Sequence, residues 1–316
     1  MRLKQQVKLT VSLGGVEVFT SGDLRVDFLV EKLIGDALNT GKFVVYNLSD
    51  ETVSGLSASG AGIANVKLEV ASILEEGMTT LFEGDLVNIH STPMYEDKLT
   101  TFWCWERGTR EATTATRITK TFHRISIKSA IQQILSNVLV EGKPAFTADF
   151  SGVTGGKESR ILNSYIVKDA PLQAIHKILH ENGMVSSIRE GALYVSDRPS
   201  KVGDEARLAT ANPNGVHKIH PLLLKKPIEF SMVQTQITYA LTPSIRTLDI
   251  INIDYEGIPS SASGFSDRIL QIVDGVKDLL PRNHYFITKV THEGSLYTDT
   301  WETTIQGIVY LNTVEG

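Results

Sequence analysis

The chain of 316 residues holds a single cysteine, Cys104, so no disulfide can close within it and no zinc site can be built from cysteines. That usage fits assembly in a reducing cytoplasm. No apolar run approaches the ~20 residues of a membrane span. The start, Met1-Arg2-Leu3-Lys4-Gln5-Gln6, is basic and then alternates polar and apolar, so no secretory signal is expected. An excess of positive charge is also missing: 31 Lys and Arg face 36 Asp and Glu, a net charge of −5. That balance argues against nucleic-acid binding, which shows as a basic patch. The Gly-x-Ser-x-Gly elbow of serine hydrolases is absent. Gly152-x-x-Gly155-Gly156-Lys157 lacks the spacing of a phosphate loop, and Glu158 stands where its Ser or Thr would be.

With 41% hydrophobic and 21% charged residues, the composition is that of an ordinary globular protein, long enough for two or three domains. Residues 1–111 read as mostly β. Val7, Leu9, Val11 and Leu13 alternate with Lys8, Thr10 and Ser12, and Gly14-Gly15 supplies a hairpin turn. Phe43 to Tyr46 is rich in β-formers and stops at Asn47-Leu48-Ser49. Ser49 is placed as an N-cap, with Asp50 and Glu51 in the first turn, where the helix dipole favours negative charge. Gly55 and Ser57-Ala58-Ser59-Gly60 are expected to end that helix after little more than a turn. A strand follows, with Val66, Leu68 and Val70 on one face, then a second from Leu81 to Ile89 and a third from Leu99 to Trp105.

Residues 112–200 change period. Ile127, Ala130, Ile131, Ile134, Leu135 and Val138 share a helix face, with Ser126 as the expected N-cap. A second helix is expected to open at Asp169 as N-cap, with Pro171 in its first turn, and to stop at Asn182-Gly183. Val185–Arg189 and Ala192–Val195 flank a Glu190-Gly191 turn, and Ser151–Ser159 reads as a loop. Two helix-plus-strand units make this a small α/β domain.

Residues 201–316 return to β, with Lys201–Pro213 as a linker or arm. Strands are expected around Ile228–Met232, Ile237–Leu241, Leu248–Tyr255, Tyr285–His292 and Trp301–Leu311. Gly257–Ser266 reads as a loop and Ile269–Leu280 as a helix flawed by Gly275. The class is α+β, predominantly β. A faint internal echo runs through it: His90, Tyr95, Asp97 and Thr101 match His292, Tyr297, Asp299 and Thr303 at one constant spacing, although the apolar alternation before the histidine slips by one residue, Ile89 against Val290.

Groups that could carry chemistry are present without a constellation around them. His176 and His180 are four apart on the second helix, as two metal ligands would be, but Lys177 occupies the place of a zinc protease's glutamate, and a solvated face near the helix C-terminus explains them. His217-x-x-His220 precedes Pro221 in a loop. Glu96 with Asp97, and Asp254 with Glu256, could pair as acid and base, yet solvated strands look the same. Cys104, between Trp103 and Trp105, reads as a packed residue. Trp103, Trp105 and Trp301 could stack a sugar, although core packing or a subunit contact is the more common explanation.

The block Val45-Tyr46-Asn47-Leu48-Ser49-x-Glu51-Thr52, followed by Leu81-Phe82-x-Gly84-Asp85, resembles the first tube domain of phage baseplate hub proteins, the contractile-tail hub and late-control D group. The resemblance covers residues 1–110 well and the last hundred more loosely. It implies two tail-tube-like β-barrel domains, 1–111 and 201–316, with the α/β domain 112–200 between them. It also implies a homotrimer around a channel, a tail tube protein above, a spike protein below, and contacts with a tape measure protein and other baseplate subunits. Genomic DNA would transit the channel without specific binding, and an acidic surface would repel its phosphates. The expected location is the virion baseplate, after assembly in the host cytoplasm. The resemblance assigns no catalytic, cofactor-binding or metal residue and no cofactor. Two other readings stay open: a tail protein that binds or degrades host-surface glycans, and the hub of a related injection or secretion machine.

Overall fold

A computed structural model describes residues 6–35, 37–58, 64–72, 77–114, 117–140, 142–189, 191–198, 216–220, 223–226, 228–230, 234–253, 284–296, 298 and 300–309. The expected linker 201–213, loop 257–266 and helix 269–280 lie outside the described residues. So do Asp254, Glu256, Tyr297 and Asp299.

The first stretch builds β1 (Val7–Leu13), β2 (Val16–Thr20), β3 (Val26–Leu33), β4 (Thr40–Tyr46), α1 (Asp50–Ala58), β5 (Ala64–Ala71), β6 (Met78–Met94) and β7 (Asp97–Glu106). The alternation in sequence becomes register. Val7, Leu9 and Val11 lie opposite Val70, Leu68 and Val66, and all six are buried. Gly14 and Gly15 both take positive φ, +55° and +82°, as a two-residue hairpin turn requires. The sheet curls until Phe19 of β2 stacks on Phe102 of β7 with ring centroids 6.3 Å apart. Ser49 caps α1 as expected, accepting from the Thr52 N–H at 3.2 Å. The helix does not stop at Gly55. It runs through it to Ala58, because Leu56 is buried against the sheet and repays the glycine's cost. The strand expected at Leu81–Ile89 is also longer, 17 residues from Met78 to Met94.

The middle stretch comprises α2 (Thr109–Thr114), β8 (Ile118–Ser126), α3 (Ile127–Leu135), β9 (Leu139–Val140), β10 (Lys143–Pro144), β11 (Thr147–Gly152), β12 (Ile161–Asp169), α4 (Pro171–Glu181), β13 (Met184–Arg189) and β14 (Ala192–Asp197). Ser126 caps α3, its hydroxyl accepting from the Ser129 N–H at 3.2 Å. Ile127, Ala130, Ile131, Ile134 and Leu135 then face one core together with Leu172, Ile175, Ile178 and Leu179 of α4. Asp169 does not cap α4. It ends β12, paired with Ile118, and Ala170 takes the cap position without a side-chain hydrogen bond. Pro171 supplies the helical φ and has no N–H to cap, so the strand can run up to the helix. The expected loop at 151–159 starts later: Ser151 and Gly152 complete β11, which pairs in parallel with β14.

The last stretch gives β15 (Val216–Ile219), β16 (Glu229–Phe230), β17 (Thr235–Ala240), β18 (Ile250–Ile253), β19 (His284–Ser295) and β20 (Trp301–Val309). The strand expected from Leu248 starts at Ile250, after a turn at Thr247 and Leu248, and residues 231–232 and 254–255 of the two expected strands lie outside the described residues. A third core forms around Ile219, Ile237, Tyr239, Ile251, Tyr285, Val290 and Ile305.

Among the described residues the first and last stretches form one continuous sheet of 13 strands, ordered β16-β17-β20-β19-β3-β4-β7-β6-β5-β1-β2, with β18 paired to β19 and β15 to β18. The seam is β3 against β19, antiparallel from Leu33 opposite Lys289 to Asp27 opposite Ser295. Trp301 crosses it. Its ring meets Phe28 edge-on at 5.4 Å, and with Leu241 it belongs to the first core. Gly294 makes that crossing fit, because a Cβ there would sit 2.5 Å from the Phe28 ring.

Candidate functional site: the junction of the three cores

Strand β13 belongs to the middle core but sits against the first and last stretches, where Tyr194, Leu248, Ile250 and Phe286 form a fourth, small cluster. Its Ser186 carbonyl accepts from the Gly35 N–H at 2.9 Å, just beyond β3. Ser187 Oγ lies 2.6 Å from Thr247 Oγ1 and donates to the Leu33 carbonyl at 3.3 Å. Arg189 donates through Nη2 to Asp249 Oδ1 at 3.2 Å, and its guanidinium lies 4.2 Å from the centre of the Tyr194 ring. The other Asp249 oxygen accepts from the Arg246 N–H and lies 3.0 Å from His217 Nε2. Buried charge is tolerated here because the carboxylate is surrounded by donors.

Asn39 fastens the junction from the first core. Its side-chain oxygen accepts from the Leu33 N–H at 2.8 Å; its amide donates to the Ile188 carbonyl at 3.1 Å and to a Glu106 carboxylate oxygen. The Glu106 N–H returns a bond to the Asn39 carbonyl at 3.0 Å. Asn39 and Glu106 are both buried, so the network is sealed from water. None of Asn39, Glu106, Ser187, Arg189, Thr247 or Asp249 stood out in the sequence. Each is a polar residue in or beside a strand, and only the tertiary fold brings them together.

Of the residues singled out from sequence, His217 reaches the junction beside Asp249, and the other described ones are dispersed. His176 and His180 share a face of α4, but His176 Nδ1 faces Ser186 Oγ at 3.2 Å and His180 Nε2 accepts from Arg198. Among the described residues no group of three or more His, Cys, Asp or Glu is placed to hold a metal ion. Asp97 accepts from the Asn47 side chain at 2.8 Å, bracing the β6–β7 hairpin against the start of α1. Lys157 pairs with Asp197 at 2.8 Å, not with a phosphate-binding loop. Cys104 is buried in the first core, and burial pushes its thiol pKa up, with help from the Asp85 charge. The three tryptophans do not come together: Trp301 is buried at the seam, whereas Trp103 and Trp105 share the outer face of β7, Trp103 exposed with Lys42 over its ring at 5.0 Å.

The internal echo has a structural counterpart with a physical reason for its slip. His90 lies opposite Thr101, and His292 lies opposite Thr303, so both matched pairs are cross-strand partners. Each hairpin also carries a bulge, between Leu86 and Asn88 in one and between Ile287 and Lys289 in the other. The distance from bulge to histidine differs by one residue. One residue reverses the face, so His90 is exposed and His292 is buried. The core-facing pair Ile89–Phe102 therefore corresponds to Val290–Ile305.

No protein-family model and no curated protein matches the sequence. Solved structures do match the fold. The tail protein from Neisseria meningitidis MC58 aligns with a TM-score of 0.61 at 8% identity, over 96% of this chain and 98% of that one. The 43 kDa tail protein of prophage MuSo2 from Shewanella oneidensis aligns at 0.58 and 8% identity, over 96% and 97%. The E. coli c3393 protein, a component of the type VI secretion system with structural similarity to T4 tail proteins gp27 and gp5, aligns at 0.56 and 9% identity, over 98% and 75%. At such identities the likeness is one of fold, and this chain shares its fold with phage tail proteins and with a component of the type VI secretion system.

Proposed function

We propose that the chain is the hub of a phage tail baseplate: a homotrimer around a channel, joining a sixfold tail tube above to a threefold spike below. The observation that carries this reading is the pair of bulged hairpins, β6–β7 and β19–β20, in one continuous sheet. A chain with two related β units, 1–111 and 201–316, offers two similar surfaces, so three chains offer six. The middle unit, 112–200, is pinned to both by the junction and would hold them at a fixed angle. The role is mechanical, without catalysis: the hub retains the spike until the tail acts and then lets genomic DNA pass without binding it. Tape measure and other baseplate subunits would dock around it in the assembled virion.

A second reading, the hub of a related injection or secretion machine, draws support from the likeness to c3393 and to a chain of the Francisella PdpA–VgrG complex, which aligns at a TM-score of 0.55 and 8% identity over 99% of this chain and 59% of that one. Both readings share the assembly and differ in cargo.

Light scattering on the purified chain, with averaged electron micrographs of the same sample, tests the assembly. A mass of three chains and a ring with a central hole is expected, alone or after addition of the spike protein. A monomer that ignores both tube and spike proteins would overturn the hub reading.

A further inference from the structure

A cleft of about 500 Å³ opens between α4, the start of β13 and the end of β3, within the size range of ligand sites. The half-buried Ile34 and Val185 give it an apolar floor, and Lys177, His180 and Arg198 stand on its wall. In an acidic protein, cations usually find carboxylates. Among the described residues neither Lys177 nor Arg198 has an ion-pair partner. The carboxylate on the cleft wall, Glu181, lies beside the Tyr165 hydroxyl, where burial first and Glu181 second push the phenol's pKa up.

Arg198 is held in place, and among the described residues no carboxylate neutralises it. Its backbone N–H donates to the Gly183 carbonyl at 2.9 Å, and its Nη1 donates to His180 Nε2 at 3.0 Å. A guanidinium can only donate, so the contact with His180 is not an ion pair, and among the described residues the Arg198 charge stays available. Nor are these cations needed to cap the end of α4. Its last carbonyls are taken by the Asn182 and Gly183 N–H groups and by the Asn182 side chain.

We propose that this cleft binds an acidic peptide segment of a partner protein, with Arg198 and Lys177 taking its carboxylates and the apolar floor taking an intervening aliphatic side chain. The fork of Arg198 suits a carboxylate, and the floor favours a peptide over a bare inorganic anion. A bound segment would bridge α4 to Ile34 and Gly35, so it would clamp the middle unit onto the sheet at the junction. The proposal stands on the cleft alone and does not depend on the hub reading.

The test is calorimetric titration of the full chain with the peptide acetyl-Leu-Glu-Leu-Glu-Leu-Glu-amide, its glutamine counterpart, and inorganic phosphate. The acidic peptide should bind at least ten times more tightly than the glutamine peptide. That preference should vanish in Lys177→Gln/Arg198→Gln, whose unfolding midpoint should match the parent. Chemical-shift changes at His176 and His180 should accompany binding. Equal affinity for the two peptides, an unchanged affinity in the double variant, phosphate competing as well as the peptide does, or no binding at millimolar peptide would each overturn the proposal.

Discussion

Arg189 and Asp249 meet at 3.2 Å with both side chains buried, and they join the middle core to the last β region. Removing one partner strands the other charge away from water. Asp249→Ala should therefore cost about 3–5 kcal/mol in urea unfolding. The double variant Arg189→Met/Asp249→Leu should recover part of that loss, because no charge is left unpaired. Recovery is incomplete because Asp249 also accepts from the Arg246 N–H and contacts His217. A single variant within 1 kcal/mol of the parent would mean that water reaches the pair.

His292 ties stability to pH. It lies on β19 opposite Val30 of β3 and Thr303 of β20, with Nδ1 2.9 Å from the Thr303 hydroxyl. Among the described residues its Nε2 has no hydrogen-bond partner. Burial first, and the Lys32 charge second, lower its pKa from 6.5 to about 3. Between those values the unfolded chain takes up a proton that the folded chain refuses. Stability from this group is therefore complete above pH 6.5 and falls as pH drops toward 3, by up to about 1.4 kcal/mol per pH unit. The carboxylates add their own acid sensitivity, so the readout is the difference between the parent and His292→Gln. The parent's curve should be steeper across that window; parallel curves would refute the assignment.

Local structure was legible in this sequence because its causes are local. The alternation that buries Val66, Leu68 and Val70, the like alternation along β1, and the Ser126 cap each follow from a few adjacent residues. The β3–β19 seam was not legible, since it joins residues as far apart as Glu31 and Lys289, whose side chains meet at 2.5 Å across a separation of 258 positions. A strand's period says which face is buried and nothing about which strand lies beside it. The same limit hid the junction, because Asn39 and Glu106 look like surface residues until β13 covers them. Asp169 misled for a different reason: strong cap chemistry lost to a strand that still had a partner in β8.

Two glycines should respond oppositely to alanine. At Gly294 a Cβ would meet Phe28 at 2.5 Å and Trp301 at 2.7 Å, with rigid rings on both sides. Gly294→Ala should cost about 1–3 kcal/mol by forcing the seam apart. At Gly55, within α1, a Cβ meets nothing within 4 Å. Gly55→Ala should stabilise by about 0.5–1 kcal/mol through helix propensity. Chemical denaturation of both variants side by side checks the pair. A neutral Gly294→Ala would show that the seam is looser than the ring contacts require.

Cys104 offers a readout of the sheet's opening without added labels. It sits on β7 between Gly41 of β4 and Leu86 of β6, buried, with its thiol pKa raised well above the usual value by burial and then by the Asp85 charge. Only the thiolate reacts, so two barriers multiply: the strand must open, and the thiol must ionise. Alkylation by iodoacetamide in native buffer should therefore be slower than in urea by on the order of a thousandfold or more, with a rate set by opening of the interior of the sheet. Gly294→Ala, by weakening the seam one strand beyond β3, should raise that rate if the 13-stranded sheet opens as one unit. If the rate is unchanged while stability falls, the sheet opens in sections, and the seam is where the two β units part.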